Sequence, residues 1–317
     1  MKIDHITLRD TEAIIEQSKK LIMIGYWDDV KVSALQRWLD NFKDEKEKYL
    51  AASVLSELIY RNRETVTSMG YNIFSIILPQ ILEELDIYHV EDIDQWMHDI
   101  NSPKHARNLP FRTSVINNVD SKVTKSGDLI HTFLQRDFFD KNLGVRVENI
   151  KTLPQKLNAI VFFDDMLGSG TQIDTFMKET KLDELGKKII FIPFAAIRES
   201  AIKTQAKYKN LIIRPVEYLD DNHGFFRETN LRINRENFYT HNDFLKIYMY
   251  MCAKNSINNP LGFGGLGLSY VLTNSTPNNN LSFLWFDLFS TMLQGGDDHQ
   301  EVYGMNIIHR PKEFDKV

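Results

Sequence analysis

The chain has 317 residues, of which 43% are hydrophobic, and its formal net charge at pH 7 is −5. This length and apolar content allow a sizeable buried core and argue against a wholly disordered chain. The mild negative charge argues against a nucleic-acid binder that is held by a broad basic surface. It leaves room for a local basic pocket, so nucleic acid stays open as a partner.

The sequence also carries information about the compartment. The single cysteine, Cys252, excludes an internal disulfide and lies in an apolar run that predicts a small buried side chain. The first ten residues are charged and lack the apolar core of a signal peptide. No apolar stretch approaches the roughly 18 to 20 residues of a membrane span. We therefore expect a soluble, cytoplasmic protein without a membrane partner.

Helical patterns dominate the first hundred residues, where we find no strong strand. Helices are predicted at 10–23, 30–41, 44–61, 65–85 and 92–101. The clearest periodicity lies in the third of these, where apolar side chains recur on one face at helical spacing. Pro79 is expected to end or kink the fourth helix. Residues 1–103 are therefore predicted to form an N-terminal helical region.

From residue 104 onward, predicted strands alternate with predicted helices. The strands are 111–117, 145–150, 159–163, 188–196, 211–218, 268–274 and 281–286, and the helices are 128–139, 174–180, 199–208 and 242–254. This alternation is typical of a parallel sheet that is covered by helices on both faces. We predict an α/β domain with a mostly parallel sheet over 104–317, in which the tail after Gln294 is polar.

One segment, 159–172, combines several features of a ligand site. A buried strand leads to the adjacent carboxylates Asp164 and Asp165, at the end of the strand where open parallel sheets bind ligands. An ionised carboxylate only accepts hydrogen bonds, so this pair suits the two hydroxyls of a ribose. One of the two carboxylates is also a candidate ligand for a divalent cation such as Mg²⁺.

The loop that follows is suited to a phosphate. It consists of Leu167, Gly168, Ser169, Gly170 and Thr171, and a predicted helix follows it. Its glycines let backbone N–H groups converge, the helix N-terminus favours an anion, and the two hydroxyls add donors. A phosphate cup one ribose away from two carboxylates is the spacing that a 5-phosphoribosyl group requires.

This segment resembles the signature of the type I phosphoribosyltransferase superfamily. Asp164 and Asp165 match its acidic pair, and Gly168, Ser169, Gly170 and Thr171 match its phosphate loop. The resemblance implies a sheet of the phosphoribosyltransferase type. It also implies a 5-phosphoribosyl ligand, which is either phosphoribosyl pyrophosphate (PRPP) or a nucleotide.

A wider resemblance covers most of the chain. The chain is similar to the phosphoribosyltransferase-like effectors of bacterial conflict and antiphage systems, whose fold is assigned and whose reaction is unsettled. The segments that carry this similarity are 38–42, 55–60, 126–130, 260–264, 276–279 and 284–285. The resemblance implies an effector that acts on nucleotides during antiphage defence, together with a partner protein of the defence system.

A phosphoribosyltransferase also binds pyrophosphate, and the loop after the strand at 111–117 is the natural place for that group. The candidates there are Lys122, Lys125, Ser126 and Gly127, and a further candidate, Arg198, follows the strand at 188–196. The two lysines equally fit a solvated loop. The short basic pattern of ordinary salvage enzymes is absent from the sequence, which weakens the case for classical phosphoribosyl transfer.

Two functions remain in competition. In the first, Asp164 or Asp165 stabilises positive charge on the ribose during phosphoribosyl transfer or N-glycosidic cleavage. No general base is identified, although Glu217, Asp220, Asp221 and His223 lie near the end of the strand at 211–218. In the second, the protein is a catalytically lapsed module that senses a nucleotide and binds a partner.

Overall fold

The computed structural model describes residues 5–116, 126–227, 240–273 and 275–285. The helices of these residues are α1 His5–Met23, α2 Val32–Leu39, α3 Glu45–Ser56, α4 Arg63–Asn72, α5 Leu78–Glu84, α6 Ile93–Asn101, α7 Pro103–Ala106, α8 Ser126–Phe138, α9 Thr171–Thr180, α10 Arg198–Gln205 and α11 His241–Lys254. The strands are β1 Ile59–Arg61, β2 Phe111–Val115, β3 Ala159–Leu167, β4 Lys188–Ile197, β5 Leu211–Ile213, β6 Glu217–Leu219 and β7 Tyr270–Leu272. Among these residues, no helix is both long and apolar enough to cross a bilayer.

Contacts divide the chain into two compact units. The first unit contains the described residues of Met1–Arg63 and Asp221–Lys312, and the second contains Glu64–Asp220. This grouping differs from the predicted boundary between residues 103 and 104. Whether residues 1–103 and 104–317 fold independently stays a prediction.

The second unit is built on a parallel sheet, as the sequence predicts. Its strand order is β2-β3-β4-β5, and β6 pairs with β4 beyond the end of β5. All nine residues of β3 are buried, which explains its continuous apolar run. Phe162 packs against Phe176 of α9, whereas Phe163 packs against Phe139 just beyond α8. Because neighbouring residues of a strand point to opposite faces, helical layers cover both faces of the sheet.

The helices between residues 64 and 106 pack into the same core as this sheet. Phe74 lies against Phe138 and Phe163, and its carbonyl accepts a hydrogen bond of 2.6 Å from Nε1 of Trp96. A side chain at Gly70 would overlap the ring of Phe138. These long-range contacts place the helices in the unit of the sheet.

The first unit joins the beginning of the chain to its later part. β1 pairs in parallel with β7, with Ile59 opposite Tyr270. Nε1 of the buried Trp38 donates a 2.8 Å hydrogen bond to the carbonyl of Phe283, and the ring of Phe42 packs between these residues. Helices α2, α3 and α11 contribute most of the surrounding buried side chains.

Several predicted elements are wrong in type or extent. The helix expected over 44–61 ends at Ser56 and is followed by β1, in a region where no strand was expected. The predicted strands at 145–150 and 281–286 correspond to short 3₁₀ helices, Val147–Thr152 and Ser282–Leu284. The strand expected over 211–218 is divided into β5 and β6. Arg214 and Val216 still donate to the carbonyls of Phe191 and Pro193, but Pro193 of β4 has no N–H with which to continue the ladder.

Pro79 is the second residue of α5, and it has no N–H to donate to the preceding turn of the helix. A π-helical segment, Ile73–Ile77, precedes it and connects it to α4. The break that the sequence predicts near Pro79 therefore takes the form of a local change in helix type.

Candidate phosphate and ribose site

Two buried carboxylates lie at the carboxyl end of β3. Asp164 is 2% exposed and Asp165 is 5% exposed. Oδ1 of Asp164 accepts a 2.9 Å hydrogen bond from the backbone N–H of Asp165, and Oδ1 of Asp165 accepts one of 2.7 Å from that of Met166. Burying a charged group is costly unless it is hydrogen-bonded, so these backbone donors help to retain the pair in the fold.

Asp164 lies between the first turns of two helices. Nε2 of Gln172, in α9, is 3.3 Å from Oδ2 of Asp164. On the other side, a Cβ atom built at Gly127 in α8 would lie 3.6 Å from Oδ1 of Asp164. The structure therefore brings Gly127, a pyrophosphate-loop candidate, next to the acidic pair. Gln172 was missed, because nothing in the sequence distinguishes it from any exposed helical glutamine.

The loop between β3 and α9 depends on Gly170. Its φ of +79° lies in the left-handed region, and an added Cβ would overlap Oγ1 of Thr204 in α10. Glycine alone satisfies both constraints. The tight turn starts α9 at Thr171, six positions after Asp165, so the positive end of the α9 dipole lies at this edge of the sheet.

The hydroxyls of the loop form a pair. Oγ of Ser169 and Oγ1 of Thr171 are 3.0 Å apart, and the backbone N–H of Thr171 points to Oγ of Ser169 at 3.4 Å. Thr171 is exposed, whereas Leu167, Gly168 and Gly170 are buried. The loop therefore combines a buried backbone turn with hydroxyls near its surface, as a phosphate site needs.

The first turn of α9 is anchored through Asp174. Its carboxylate accepts hydrogen bonds from Lys178 at 2.6 Å, Tyr208 at 2.9 Å and Lys207 at 3.1 Å. Partial burial alone would raise the pKa of Asp174, but these three donors outweigh it and lower the pKa to about 2. The same contacts, together with burial as the main cause, raise the pKa of the Tyr208 hydroxyl to about 12. This network fixes the helix that follows the glycine loop.

Arg198 and Tyr218 lie along the same edge of the sheet. Arg198 is the exposed first residue of α10, directly after β4, and its guanidinium carbon is 4.2 Å from the centroid of the Tyr218 ring. In the strand register, Leu167 lies opposite Ala196, which lies opposite Tyr218. Tyr218 is therefore two strand spacings, or about 10 Å, from the start of the phosphate loop. A cation and a stacked aromatic ring thus border the site.

Other candidates are placed only in part. Lys122 and Lys125 lie outside the described residues, and Ser126 is the first residue of α8. Glu217 occupies the first position of β6, on the carboxyl side of the sheet. His223 belongs to the other compact unit, in the short 3₁₀ helix Asp221–His223.

These features define a parallel α/β protein with an acidic pair and a helix-initiating glycine loop at the carboxyl edge of its sheet. The family model PRTase-CE matches residues 35–289, which is most of the chain. The chain therefore belongs to the PRTase-CE family, and its membership of the phosphoribosyltransferase superfamily agrees with the resemblance of the segment around Asp164 and Gly170.

Two further comparisons add little. No curated protein matches the chain. Among solved structures, it is similar to the xanthine-guanine-hypoxanthine phosphoribosyltransferase of Helicobacter pylori, with 16% identity over 56% of this chain and 97% of that chain, and a TM-score of 0.27. A likeness of this size carries no argument about the present site.

Proposed function

We propose that the chain binds a 5-phosphoribosyl ligand, either PRPP or a nucleotide, at the carboxyl edge of β3. The observation that carries this proposal is the order, within residues 164–171, of two buried aspartates, a left-handed glycine and a helix N-terminus. Asp164 and Asp165 accept hydrogen bonds from the 2′- and 3′-hydroxyls of the ribose. Gly168, Ser169, Gly170 and Thr171 bind the 5′-phosphate, which the α9 dipole favours.

A pyrophosphate group would extend from the ribose toward α8. The contact between Gly127 and Asp164 supports this direction, because it puts the N-terminus of α8 beside the acidic pair. We assign Lys122, Lys125 and Ser126 to the same group as a proposal. Arg198 is the further cation at this edge of the sheet. Asp164 and Asp165 would hold Mg²⁺, whose preferred ligands are oxygens, and the ion would neutralise charge on the phosphates.

The reaction that suits this site is displacement at the anomeric carbon. In phosphoribosyl transfer, an acceptor nitrogen bonds to that carbon while pyrophosphate leaves with the electron pair, and the nitrogen loses its proton. In N-glycosidic cleavage, water bonds to that carbon and loses a proton, while the base leaves with the electron pair of the broken bond and takes up a proton. Asp164 or Asp165 stabilises the positive charge that develops on the ribose ring in either case. We propose that this activity acts on nucleotides in the cytoplasm as part of antiphage defence, with a partner protein of that system.

A second candidate function is nucleotide sensing without catalysis. Its support is that the sequence lacks the short basic pattern of ordinary salvage enzymes after β2. A site without that pattern would bind a monophosphate, and the bound nucleotide would control the partner.

Calorimetry on the purified chain tests these alternatives. PRPP and a nucleoside monophosphate are each titrated with Mg²⁺ into wild type and into the double variant Asp164→Asn/Asp165→Asn. The control is Asp137→Asn, which changes a carboxylate at the opposite end of α8 that pairs with Arg136. We expect the double variant to bind at least about tenfold more weakly, because each lost charged acceptor contributes about 1.5 to 3 kcal/mol.

The preferred ligand separates the two functions. Tighter binding of PRPP supports transfer, and tighter binding of the monophosphate supports cleavage or sensing. Release of free base from the monophosphate, followed by chromatography, then distinguishes cleavage from sensing. The absence of binding to both ligands, or equal loss in the control variant, would contradict the proposed site.

A further inference from the structure

A separate cluster of side chains lies in the helical part of the second unit. His98 and Asp99 are in α6, and His105 is in α7, the next helix along the chain. His105 precedes the first residue of β2, Phe111, by six positions, whereas the site around Asp164 lies at the carboxyl ends of the strands. We propose that His98, Asp99 and His105 bind a divalent transition-metal ion of the zinc type.

The distances between the candidate ligand atoms fit one ion. Oδ1 of Asp99 is 2.7 Å from Nδ1 of His105 and 3.5 Å from Nδ1 of His98. One ligand atom from each of the three groups can be chosen so that all lie within 4.8 Å of one another. Ligands at the usual zinc bond lengths in a tetrahedral site are about 3.4 Å apart. The His98 distance already matches this spacing, and the His105 contact needs to open by less than about 1 Å.

The donor set selects the class of metal. Two imidazoles and one carboxylate suit zinc and similar first-row ions, whereas Mg²⁺ and Ca²⁺ prefer oxygen ligands throughout. Three protein ligands leave a fourth position for water. Nε2 of Gln95 donates a 2.8 Å hydrogen bond to Oδ1 of Asp99, which orients the carboxylate toward the two rings.

Exposure gives an ion access to the cluster. The side chain of His98 is 63% exposed and that of His105 is 42% exposed, whereas Asp99 is only 19% exposed. The two imidazole rings meet edge to face, with centroids 5.5 Å apart.

A bound ion would also connect two elements. α7 has four residues, which is too short for a helix to be stable by itself, and only Ser102 separates it from α6. An ion held by both helices would fix α7 and the chain that leads into β2. This ion would differ in its ligand set and its place in the fold from Mg²⁺ at Asp164 and Asp165.

The test uses the full chain without a purification tag, with Co²⁺ as the spectroscopic probe and Zn²⁺ as its competitor. The variants are His98→Ala, Asp99→Asn and His105→Ala. The matched control is His89→Ala, which removes another exposed histidine that contacts a carboxylate, that of Glu83. Circular dichroism checks that each variant is folded, and the exposure of His98 makes its replacement the least disruptive.

We expect one Co²⁺ whose visible absorption is displaced by Zn²⁺ and not by excess Mg²⁺. Each of the three variants weakens this binding by about tenfold or more, whereas His89→Ala leaves it unchanged. Wild-type affinity in folded His98→Ala and His105→Ala would overturn the proposal. So would the absence of Co²⁺ binding to wild type, or a loss in the control equal to that in the variants.

Discussion

Replacement of Gly170 by alanine tests the geometry of the phosphate loop. The change forces an alanine to φ of +79°, which costs about 1 kcal/mol or more for an L-residue. The new methyl group also overlaps Oγ1 of Thr204 in a buried contact, which costs about 1 to 3 kcal/mol. The reduced entropy of the unfolded chain offsets about 0.4 to 1 kcal/mol. We therefore expect Gly170→Ala to lower the free energy of unfolding by about 2 to 3 kcal/mol.

Three further variants separate these contributions. Gly186 also has a left-handed φ, of +68°, but no atom lies within 4 Å of an added Cβ. Gly186→Ala should therefore cost less than about 1 kcal/mol. Thr204→Ala removes the hydroxyl that meets the new methyl group. In that background, Gly170→Ala should cost no more than Gly186→Ala does in wild type.

Urea unfolding followed by circular dichroism measures all four variants. A change in stability of less than about 0.5 kcal/mol in Gly170→Ala, the usual range for surface substitutions, would contradict strain in this loop. So would a cost of Gly170→Ala that is the same with and without the Thr204 hydroxyl. That result would place the strain elsewhere than in the contact between the loop and α10.

Three other predictions follow from single contacts. The lowered pKa of Asp174 means that its ion pairs stabilise the fold above pH 4 and that this contribution is lost as pH falls toward 2. Solvent screening limits the lost stability to about 1 kcal/mol. Acid titration of the Asp174→Asn variant should lack this loss. Trp38→Phe leaves the buried carbonyl of Phe283 without its hydrogen-bond donor. The free energy of unfolding, measured in urea, should therefore fall by about 2 to 4 kcal/mol. A change near zero would contradict the importance of this contact. Arg198→Gln should lower the free energy of unfolding by no more than about 1 kcal/mol, the value of an exposed cation–π contact. It should weaken PRPP binding about tenfold in calorimetry, and unchanged affinity would remove Arg198 from the site.

The strands that carry the site could be predicted from the sequence. β3 and β4 are buried on both faces, so their apolar runs are long and bounded by polar residues. The carboxylates and glycines after the apolar part of β3 then mark its carboxyl end. The contact of Gly127 with Asp164 follows from the same topology, because helices that follow neighbouring strands in a parallel sheet begin at the carboxyl edge.

Elements that depend on distant residues could not be predicted in this way. β1 has three residues, and its partner β7 lies about two hundred positions further along the chain. Val145 is apolar and its backbone N–H bonds to Thr113, but the following residues turn into a 3₁₀ helix. Helical periodicity shows that residues 64–106 have an apolar face. The periodicity does not show that this apolar face packs against Phe163 of the sheet. That contact is one reason why these helices belong to the same compact unit as the sheet.

Contacts between side chains at the candidate site could not be predicted from the sequence either. Gln172 and Tyr218 are ordinary residues by position, and their relation to Asp164 and Arg198 depends on how helices and strands are placed. Sequence reasoning therefore located the acidic pair and the loop. The residues around them needed the structure.

The central claim is that Asp164 and Asp165 bind ribose hydroxyls while the loop at Gly170 binds phosphate. The most direct measurement compares ribose 5-phosphate with 2-deoxyribose 5-phosphate by calorimetry, because the two ligands share the phosphate and differ by one hydroxyl. Buried polar groups that lose a hydrogen-bond partner discriminate strongly, so we predict at least about tenfold weaker binding of the deoxy sugar in wild type. That difference should disappear in Asp164→Asn/Asp165→Asn. Equal affinity for both sugars in wild type, or no binding of ribose 5-phosphate, would contradict the claim.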